Sequence, residues 1–384
     1  MPPHTRRPQA RRSVQAVAAG ATLTLALGLG AATTQDATAP AVRAVTAASV
    51  VAPPVSRSVA STLAAAAARA LPQAAPPTPA PTPRPTRPAA APKKQAATPA
   101  VVRWLPTGTG MWLHEWRASE QGHAPVVVAR AQAAGLTHLY VQTGSSRKGW
   151  IGDEVLGQLL PATRGTQIRV IAWDFPKLVD PVADARRMAR AALYRKAGAP
   201  RVAAVAPDVE TGSEGTHLSA RGIDLYYSTL RQLLPPHVAI LPTVPWPSEH
   251  RLHSYPYDRT ARFADAIVPM AYWYNRDPAR VTATSMRVLK RYGKPVMPVG
   301  QGYDGRLDAP YLAADPHPDA SVQAFLTTAR EHGAQSVSLW SWQTTGAKQW
   351  RVLARAGQAK AFLPGGTVPS PAPTVPWTTR GRKK

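Results

Sequence analysis

Short apolar runs alternate with amphipathic stretches along the central part of this chain. The runs, rich in β-branched, aromatic and small residues, lie at 110–113, 136–142, 168–173, 202–209, 238–244, 266–272, 295–300 and 336–342. Between them, apolar positions recur at helical spacing, for example at 125–134, 181–197, 219–234, 279–292 and 320–331. Strands that alternate with helices predict an α/β protein with a parallel sheet. Because there are eight strands, closure into a (β/α)8 TIM barrel over residues 101–360 is favoured.

An open, doubly wound sheet is the alternative to the barrel. Such sheets often carry a glycine-rich phosphate loop after the first strand, and this sequence has none there. The barrel therefore stays the preferred prediction.

The two ends of the chain differ in composition from the central part. Residues 1–48 combine a basic start, MPPHTRRPQARR, with an uncharged apolar stretch at 14–32, which predicts an export signal, with an uncleaved anchor as the alternative. Residues 49–100 and 361–384 are rich in Pro, Ala and Thr and have few large apolar side chains. They are predicted to form a disordered linker and a disordered basic tail. We expect a secreted or extracellular protein, with the N-terminus as an optional tether to the membrane or cell wall.

Charge and cysteine content narrow the classes of function. Of the formal charge of +25, residues 1–100 contribute eleven Lys/Arg and one Asp, and the segment after 365 contributes four Lys/Arg and no acid. The remaining positive charge is spread along the barrel, and no nucleic-acid-reading module is recognisable, so nucleic acid is not expected as a partner. The chain has no cysteine, which excludes disulfides and thiol catalysis.

Aromatic residues and carboxylates dominate the positions that follow the predicted strands. In this fold the acting side chains stand at the carboxyl ends of the strands. Pyranose rings stack their apolar C–H faces on indole and phenol rings, and their hydroxyls meet polar groups. Any single tryptophan is explained by core packing, but the set favours a carbohydrate-binding groove. The residues expected to bind substrate are Trp112, Glu115, Trp173, Asp174, Trp246, Trp273, Tyr303, Trp340 and Trp342.

The sequence Asp208-Val209-Glu210 ends the fourth predicted strand. Strand alternation sends Asp208 and Glu210 to the same side and Val209 to the other. Two carboxylates this close in a cleft cannot both ionise cheaply, so we expect Glu210 to have a raised pKa and act as a general acid. Asp208, deeper and hydrogen-bonded, is expected to stay charged. A loop-capping Asp beside a solvated Glu is the alternative interpretation.

These motifs resemble the chitinase-like family eighteen of glycoside hydrolases. The likeness lies in Asp208-Val209-Glu210 on the fourth strand, Met270-Ala271-Tyr272 on the sixth and Trp340 on the eighth. The resemblance implies that Glu210 is the acid/base, that Asp208 orients an N-acetyl group, and that Tyr272 supports that group. It further implies that the acetamido oxygen of the substrate is the nucleophile.

The sequence also departs from that family. Ala203 and Ala206 stand where that family has further aspartates. The shorter D-x-E motif is equally similar to family twenty-five lysozymes. Those lysozymes also carry an aspartate on the first strand, where this chain has Trp-Leu-His-Glu at 112–115. Over 108–345, with G-M-W near the start and W-S-W-Q near the end, the chain resembles glycoside-hydrolase-like barrels exported by actinobacteria.

Together these observations predict a glycosidase that acts on a β-linked, N-acetylated polysaccharide similar to peptidoglycan or chitin. A non-catalytic carbohydrate-binding barrel of the cell surface is the alternative. No cofactor and no metal are expected, because His250 and His253 have no acidic partner arranged for a metal. Neither a G-x-S-x-G nor an H-E-x-x-H motif occurs. We expect a monomer whose partner is a polysaccharide substrate or cell-wall polymer.

Overall fold

The computed structural model describes residues 101–366 of the 384-residue chain. These residues belong to one of two compact units, which spans 98–384. The predicted export signal at 1–48, the linker at 49–100 and most of the tail at 361–384 lie outside the described residues. The predicted barrel region lies within them.

Parallel strands form a closed ring. Their bounds are β1 Gly108–Leu113, β2 His138–Ser145, β4 Arg169–Phe175, β5 Ala204–Pro207, β6 Ala239–Ile240, β7 Thr243–Pro245, β8 Val268–Ala271, β9 Val299–Gln301 and β10 Ser336–Trp340. They pair in the order β6-β5-β4-β2-β1-β10-β9-β8-β7, and the short β3, Gly149–Trp150, pairs antiparallel with β2. β6 and β7 are two pieces of the fifth strand, and a bridge between Asp208 and Thr243 joins its second piece to the end of β5. The predicted (β/α)8 barrel is confirmed.

Helices surround the ring. They are α1 Ala124–Ala133, α2 Gly152–Ala162, α3 Pro181–Leu193, α4 Ala220–Leu233, α5 Glu249–Ser254, α6 Tyr257–Phe263, α7 Pro278–Leu289, α8 Pro318–Glu331 and α9 Ala347–Gln358. The predicted helix at 181–197 ends early, because the backbone of Tyr194 is extended (ψ 137°). Asp180, Ser219 and Asp277 cap α3, α4 and α7 by accepting hydrogen bonds from backbone N–H groups. Across 101–366, none of the helices combines the length and the apolar character needed to cross a bilayer.

Strand alternation divides the apolar side chains into two layers. One layer fills the inside of the barrel and includes Trp112, Tyr140 and Ile171, and the other lies between the strands and the helices. Trp104 and Leu105, which precede β1, pack against the inner layer. We call the end where the strands begin the bottom and the end where they finish the mouth.

A neutral histidine lies inside the barrel near its bottom. His138, at the start of β2, is 0% exposed, and its Nδ1 is 2.9 Å from the Thr137 hydroxyl. Gly110 leaves room for the ring, since a Cβ there would lie 2.2 Å from Nε2. Burial lowers the pKa of His138 to about 3, because the charged imidazolium would lose its hydration.

We expect acid to destabilise the barrel through His138. Between about pH 6.5 and about pH 3 only the unfolded chain binds this proton, so the free energy of unfolding falls as the pH falls through that range. His138→Gln removes the titration. As the pH falls from about 7 to about 5, the free energy of unfolding of the variant should rise by about 2 kcal/mol relative to that of the wild type. Denaturant unfolding at both pH values measures this, and parallel pH dependences would contradict it.

Candidate active site

Asp208 and Glu210 project inward where β5 ends. Val209 between them is 0% exposed and packs in the outer apolar layer, so alternation turns its two neighbours to the inside. The Asp208 backbone N–H donates to the Asp174 carbonyl oxygen at 2.9 Å. Together with the bridge from Asp208 to Thr243, this bond holds the Asp208 backbone between two neighbouring strands.

The Asp208 carboxyl lies in a setting that disfavours its charge. It is 6% exposed, and its Oδ1 has no hydrogen-bond partner among residues 101–366. Burial raises the pKa of Asp208 well above its usual value, and the negative charge of Glu210 raises it further. The expectation that Asp208 is hydrogen-bonded and charged is therefore corrected: its surroundings favour the neutral acid.

Glu210 is partly exposed and lies among charged side chains of the neighbouring loops. Burial raises the pKa of Glu210 to about 7, and the negative charge of Glu214 adds to the effect. The positive charges of Arg251 and Lys177 act in the opposite direction. A carboxyl with this pKa can release or take up a proton near neutral pH, as a general acid/base requires.

Tyr272 directly follows β8 and packs against the inner apolar layer of the barrel. Its pKa is raised well above the usual value, first by burial and then by the negative charges of Asp208 and Glu210. Its ring meets that of Tyr303 edge-on at 5.6 Å. The Tyr303 hydroxyl in turn donates to Asp308 Oδ2 at 2.5 Å.

Aromatic side chains inside the barrel contact one another in a series that ends at Trp340 near the mouth. Trp112 stacks on Tyr140 with ring centroids 4.1 Å apart. Trp340 lies 5.6 Å from Trp112 and 5.3 Å from Trp173. His114 lies 5.3 Å from Trp340 on the mouth side of β1. Of the three tryptophans, only Trp340 is partly exposed, so it is the one that can offer a ring face to a ligand.

Four of the tryptophans expected to bind sugar have almost no accessible surface. Trp112 and Trp173, at 1% and 2% exposure, lie inside the barrel and support Trp340. Trp273 is 1% exposed and packs in the outer layer, because it directly follows the inward-facing Tyr272. Trp342 lies in the same outer layer. These four expectations are corrected: the rings pack in the core.

Asp174 is also placed differently from expectation. It is 0% exposed and accepts two hydrogen bonds of 2.7 Å from Arg187, whose guanidinium also contacts Asp184 at 2.7 Å. Burial raises the pKa of Asp174 to about 6, and the bond to Arg187 acts in the opposite direction. With both carboxylate oxygens engaged, Asp174 belongs to a buried ionic network behind the site and does not face a substrate.

The remaining three expected binding residues lie around the mouth. Glu115 is partly exposed and pairs with Lys148 at 2.8 Å. Trp246 follows β7, is partly buried, and has the Arg276 guanidinium 5.6 Å from its ring centroid. Tyr303 is 5% exposed and held by its bond to Asp308, so little of its ring is free.

Four charged residues that influence Glu210 were not predicted from the sequence. Lys177, Glu214 and Asp308 lie in the segments that follow β4, β5 and β9, Arg251 lies in the short helix α5 after β7, and each alters the pKa of Glu210. Their position after the strands is the one available signal, because no motif or periodicity marks these residues.

Comparisons with known proteins bear on the fold. No protein-family model matches the chain, and no curated protein matches it. A solved glucosidase from Croceicoccus marinus superposes with a TM-score of 0.50 at 10% identity, covering 66% of this chain and 66% of that one. An endo-1,4-β-mannanase from Rhizomucor miehei superposes with a TM-score of 0.49 at 9% identity, covering 66% of this chain and 95% of that one. A chitinase from Chromobacterium violaceum superposes with a TM-score of 0.45 at 11% identity, covering 66% of this chain and 99% of that one. At 10% identity, the likeness to the glucosidase shows the barrel fold alone.

We expect Glu210 to destabilise the folded protein at alkaline pH. In the folded state the pKa of Glu210 is raised to about 7, so the folded protein keeps a proton that the unfolded chain releases at lower pH. The resulting contribution to the free energy of unfolding is complete below the unfolded-state pKa and is lost as the pH rises through 7. Glu210→Gln removes that loss, so its free energy of unfolding relative to wild type should rise by about 2 kcal/mol between about pH 5 and about pH 8.

Denaturant unfolding at the two pH values measures this effect. The control is Glu331→Gln at the exposed end of α8, whose difference from wild type should be the same at both. A Glu210→Gln difference that does not change with pH would show that the surroundings of this carboxyl do not raise its pKa.

Proposed function

We propose that this protein is a glycoside hydrolase in which Glu210 is the general acid/base. The observation that carries the proposal is the raised pKa of Glu210 at the carboxyl end of β5, beside Asp208 and Tyr272. In a (β/α)8 barrel, this end of the strands is where catalytic groups lie. The structural neighbours include a glucosidase, a mannanase and a chitinase, which agrees with this chemistry.

Glycosidic bond cleavage needs a proton on the departing oxygen. With a pKa of about 7, a large fraction of Glu210 is protonated at neutral pH, and it can deliver that proton as the bond from the anomeric carbon to oxygen breaks. The resulting carboxylate can then accept a proton from the water that completes hydrolysis. The charges of Lys177 and Arg251 stabilise this ionised form between the two steps.

Asp208 is better suited to hold a substituent than to attack the sugar. Its burial favours the neutral acid, and a neutral carboxyl is a poor nucleophile. A nucleophile supplied by the substrate fits this arrangement, as in substrate-assisted hydrolases. The acetamido carbonyl oxygen attacks the anomeric carbon while the leaving group takes the Glu210 proton, and water later opens the cyclic ion. Asp208 and Tyr272 hold the acetamido group during both steps.

The proposed substrate is a β-linked, N-acetylated polysaccharide similar to peptidoglycan or chitin. Trp340, partly exposed above Trp112 and Trp173, is proposed as the stacking surface for a sugar ring at the mouth. Trp246 and Glu115 are proposed to contact neighbouring sugars. The export signal predicted at 1–48 supports action outside the cell, where such polymers occur, and we propose that the protein acts there as a monomer.

We expect Glu210→Gln to lower hydrolysis of peptidoglycan or chitin oligosaccharides by about 10²–10⁴-fold, because the leaving oxygen then lacks its proton donor. An N-acetylglucosaminide with a nitrophenolate leaving group needs little protonation, so the variant should cleave it much closer to the wild-type rate. The wild-type rate on oligosaccharides should fall as the pH rises through about 7. Glu331→Gln is the matched control.

The outcomes separate the two candidate functions. Loss on natural oligosaccharides with retention on the activated substrate supports Glu210 as the acid. Equal rates for both proteins would overturn that role. Tight binding of the oligosaccharide by the wild type without any product would instead identify a non-catalytic carbohydrate-binding barrel.

A further inference from the structure

The two ends of the barrel carry opposite charge. The connections at the mouth, 114–123, 146–151, 176–180, 208–219, 246–256, 272–277, 302–317 and 341–346, hold seven Lys/Arg and eleven Asp/Glu. The connections at the bottom, 101–107, 134–137, 163–168, 194–203, 234–238, 264–267, 290–298, 332–335 and 359–366, hold nine Lys/Arg and one Asp. Helix dipoles favour acids at the mouth and cations at the bottom, but the effect of each dipole is confined to the adjacent turn. Arg201, eight residues beyond the end of α3, lies outside that reach.

Four exposed cations at the bottom form a cluster that we call the basic face: Arg164, Arg195, Lys196 and Arg201. Arg164 lies against Gly198, since its Nη2 is 2.5 Å from the position of a Cβ there. Arg195, Lys196 and Arg201 all belong to the connection between α3 and β5, and the positive charge of Arg201 contributes, after burial, to a lowered pKa of Arg195. Within 101–366, none of the four forms an ion pair with a carboxylate.

Exposed apolar side chains border the basic face. Leu193 and Leu233 end α3 and α4, are 48% and 38% exposed, and line a groove of about 540 Å³ between these helices. Val102 is 87% exposed, and its neighbour Arg103 donates to the carbonyl oxygen of Pro236, just beyond α4. A soluble polyanion would satisfy the cations alone, whereas an anionic lipid surface takes up both charge and apolar side chains.

The rest of the chain joins the barrel at the same end. Residue 101 precedes β1 at the bottom, and residue 366 follows α9 there, with its carbonyl oxygen accepting from Arg330 at 2.6 Å. The segments that continue from these points carry eleven Lys/Arg and one Asp before 101 and four Lys/Arg and no acid after 366. In sequence, these segments are therefore basic, as the connections at the bottom are.

We propose that the basic face, with Leu193, Leu233 and Val102, docks the barrel on an anionic lipid bilayer and leaves the mouth directed away from it. The attraction comes from cations near anionic headgroups and is screened by salt. The orientation keeps the site of the proposed hydrolase open to a polymer outside the membrane, but the docking itself does not depend on hydrolysis.

The absence of cysteine allows a direct test in the full chain. Ala197→Cys places one fluorophore at the basic face, and Ala347→Cys places one at the mouth end of α9; both alanines are exposed. The vesicles contain equal parts phosphatidylglycerol and phosphatidylcholine and a headgroup quencher. We expect strong quenching at 197, little at 347, and none at either position with phosphatidylcholine alone. Equal quenching at both positions would show that the terminal segments alone hold the chain, and would overturn the proposal.

Matched charge variants test the basic face itself. Arg164→Gln, Arg195→Gln, Lys196→Gln and Arg201→Gln together should weaken quenching at 197 at least about tenfold. The control removes three Arg and one Lys from the mouth end, Arg147, Arg221, Arg280 and Lys348, all exposed, and should leave quenching unchanged. An equal loss of quenching in both four-residue variants would show that binding depends on net charge alone, and would overturn the proposal.

Two further variants separate the effect of charge from effects on folding and on apolar contact. Arg195 also bonds the Ala192 carbonyl at 2.9 Å, so the pair Arg164→Gln and Arg201→Gln, which keeps that bond, should still weaken quenching. Val102→Ser with Leu193→Ser and Leu233→Ser should weaken vesicle binding as well. If the serine variant binds as the wild type does, the face recognises charge alone, as on an anionic wall polymer, and the lipid assignment is wrong.

Discussion

The backbone pairing that closes the barrel also positions its central acid. Asp208 follows β5 directly, donates its N–H to the Asp174 carbonyl oxygen at 2.9 Å, and bridges to Thr243 on the other side. Because the flanking strands hold the backbone, the direction of the side chain is set by the ring, and its carboxyl stays in the interior. Burial then keeps its pKa raised, and strand alternation brings Glu210 to the same side. The proton chemistry proposed for this protein is therefore a consequence of barrel closure.

A buried ionic network supports that closure from behind. Arg187 on α3 binds Asp174 at the end of β4 with two bonds of 2.7 Å and contacts Asp184 as well. Gly144 on the neighbouring strand makes room for it, since a Cβ there would lie 2.4 Å from Asp174 Oδ2. Loss of one partner from a buried charge pair is strongly destabilising. The network therefore constrains β4, the strand with which Asp208 pairs. A carboxylate that looked catalytic in the sequence thus has a structural role.

The two ends of the barrel are chemically distinct for a reason built into the fold. With the exception of the short α5, the helices begin near the mouth and end near the bottom, so helix dipoles favour acids at the first end and cations at the second. The acids that could act on a substrate and the cations that could bind an anionic surface are therefore separated by the length of the strands. This separation lets a surface-bound barrel keep its site accessible.

The order of residues along the chain was enough to predict the fold class, the succession of strands and the placement of Asp208 and Glu210 on one side of a strand. These follow from periodicity, which depends only on local geometry. Packing in three dimensions determined which aromatic side chains reach the surface. Trp112 and Trp340 both face inward, yet only Trp340 is partly exposed, because depth depends on the neighbours that cover each ring. Packing also determined that Arg187 pairs with Asp174 and that the charge of Asp308 contributes to the raised pKa of Glu210, since these interactions join residues from separate elements that no local pattern relates.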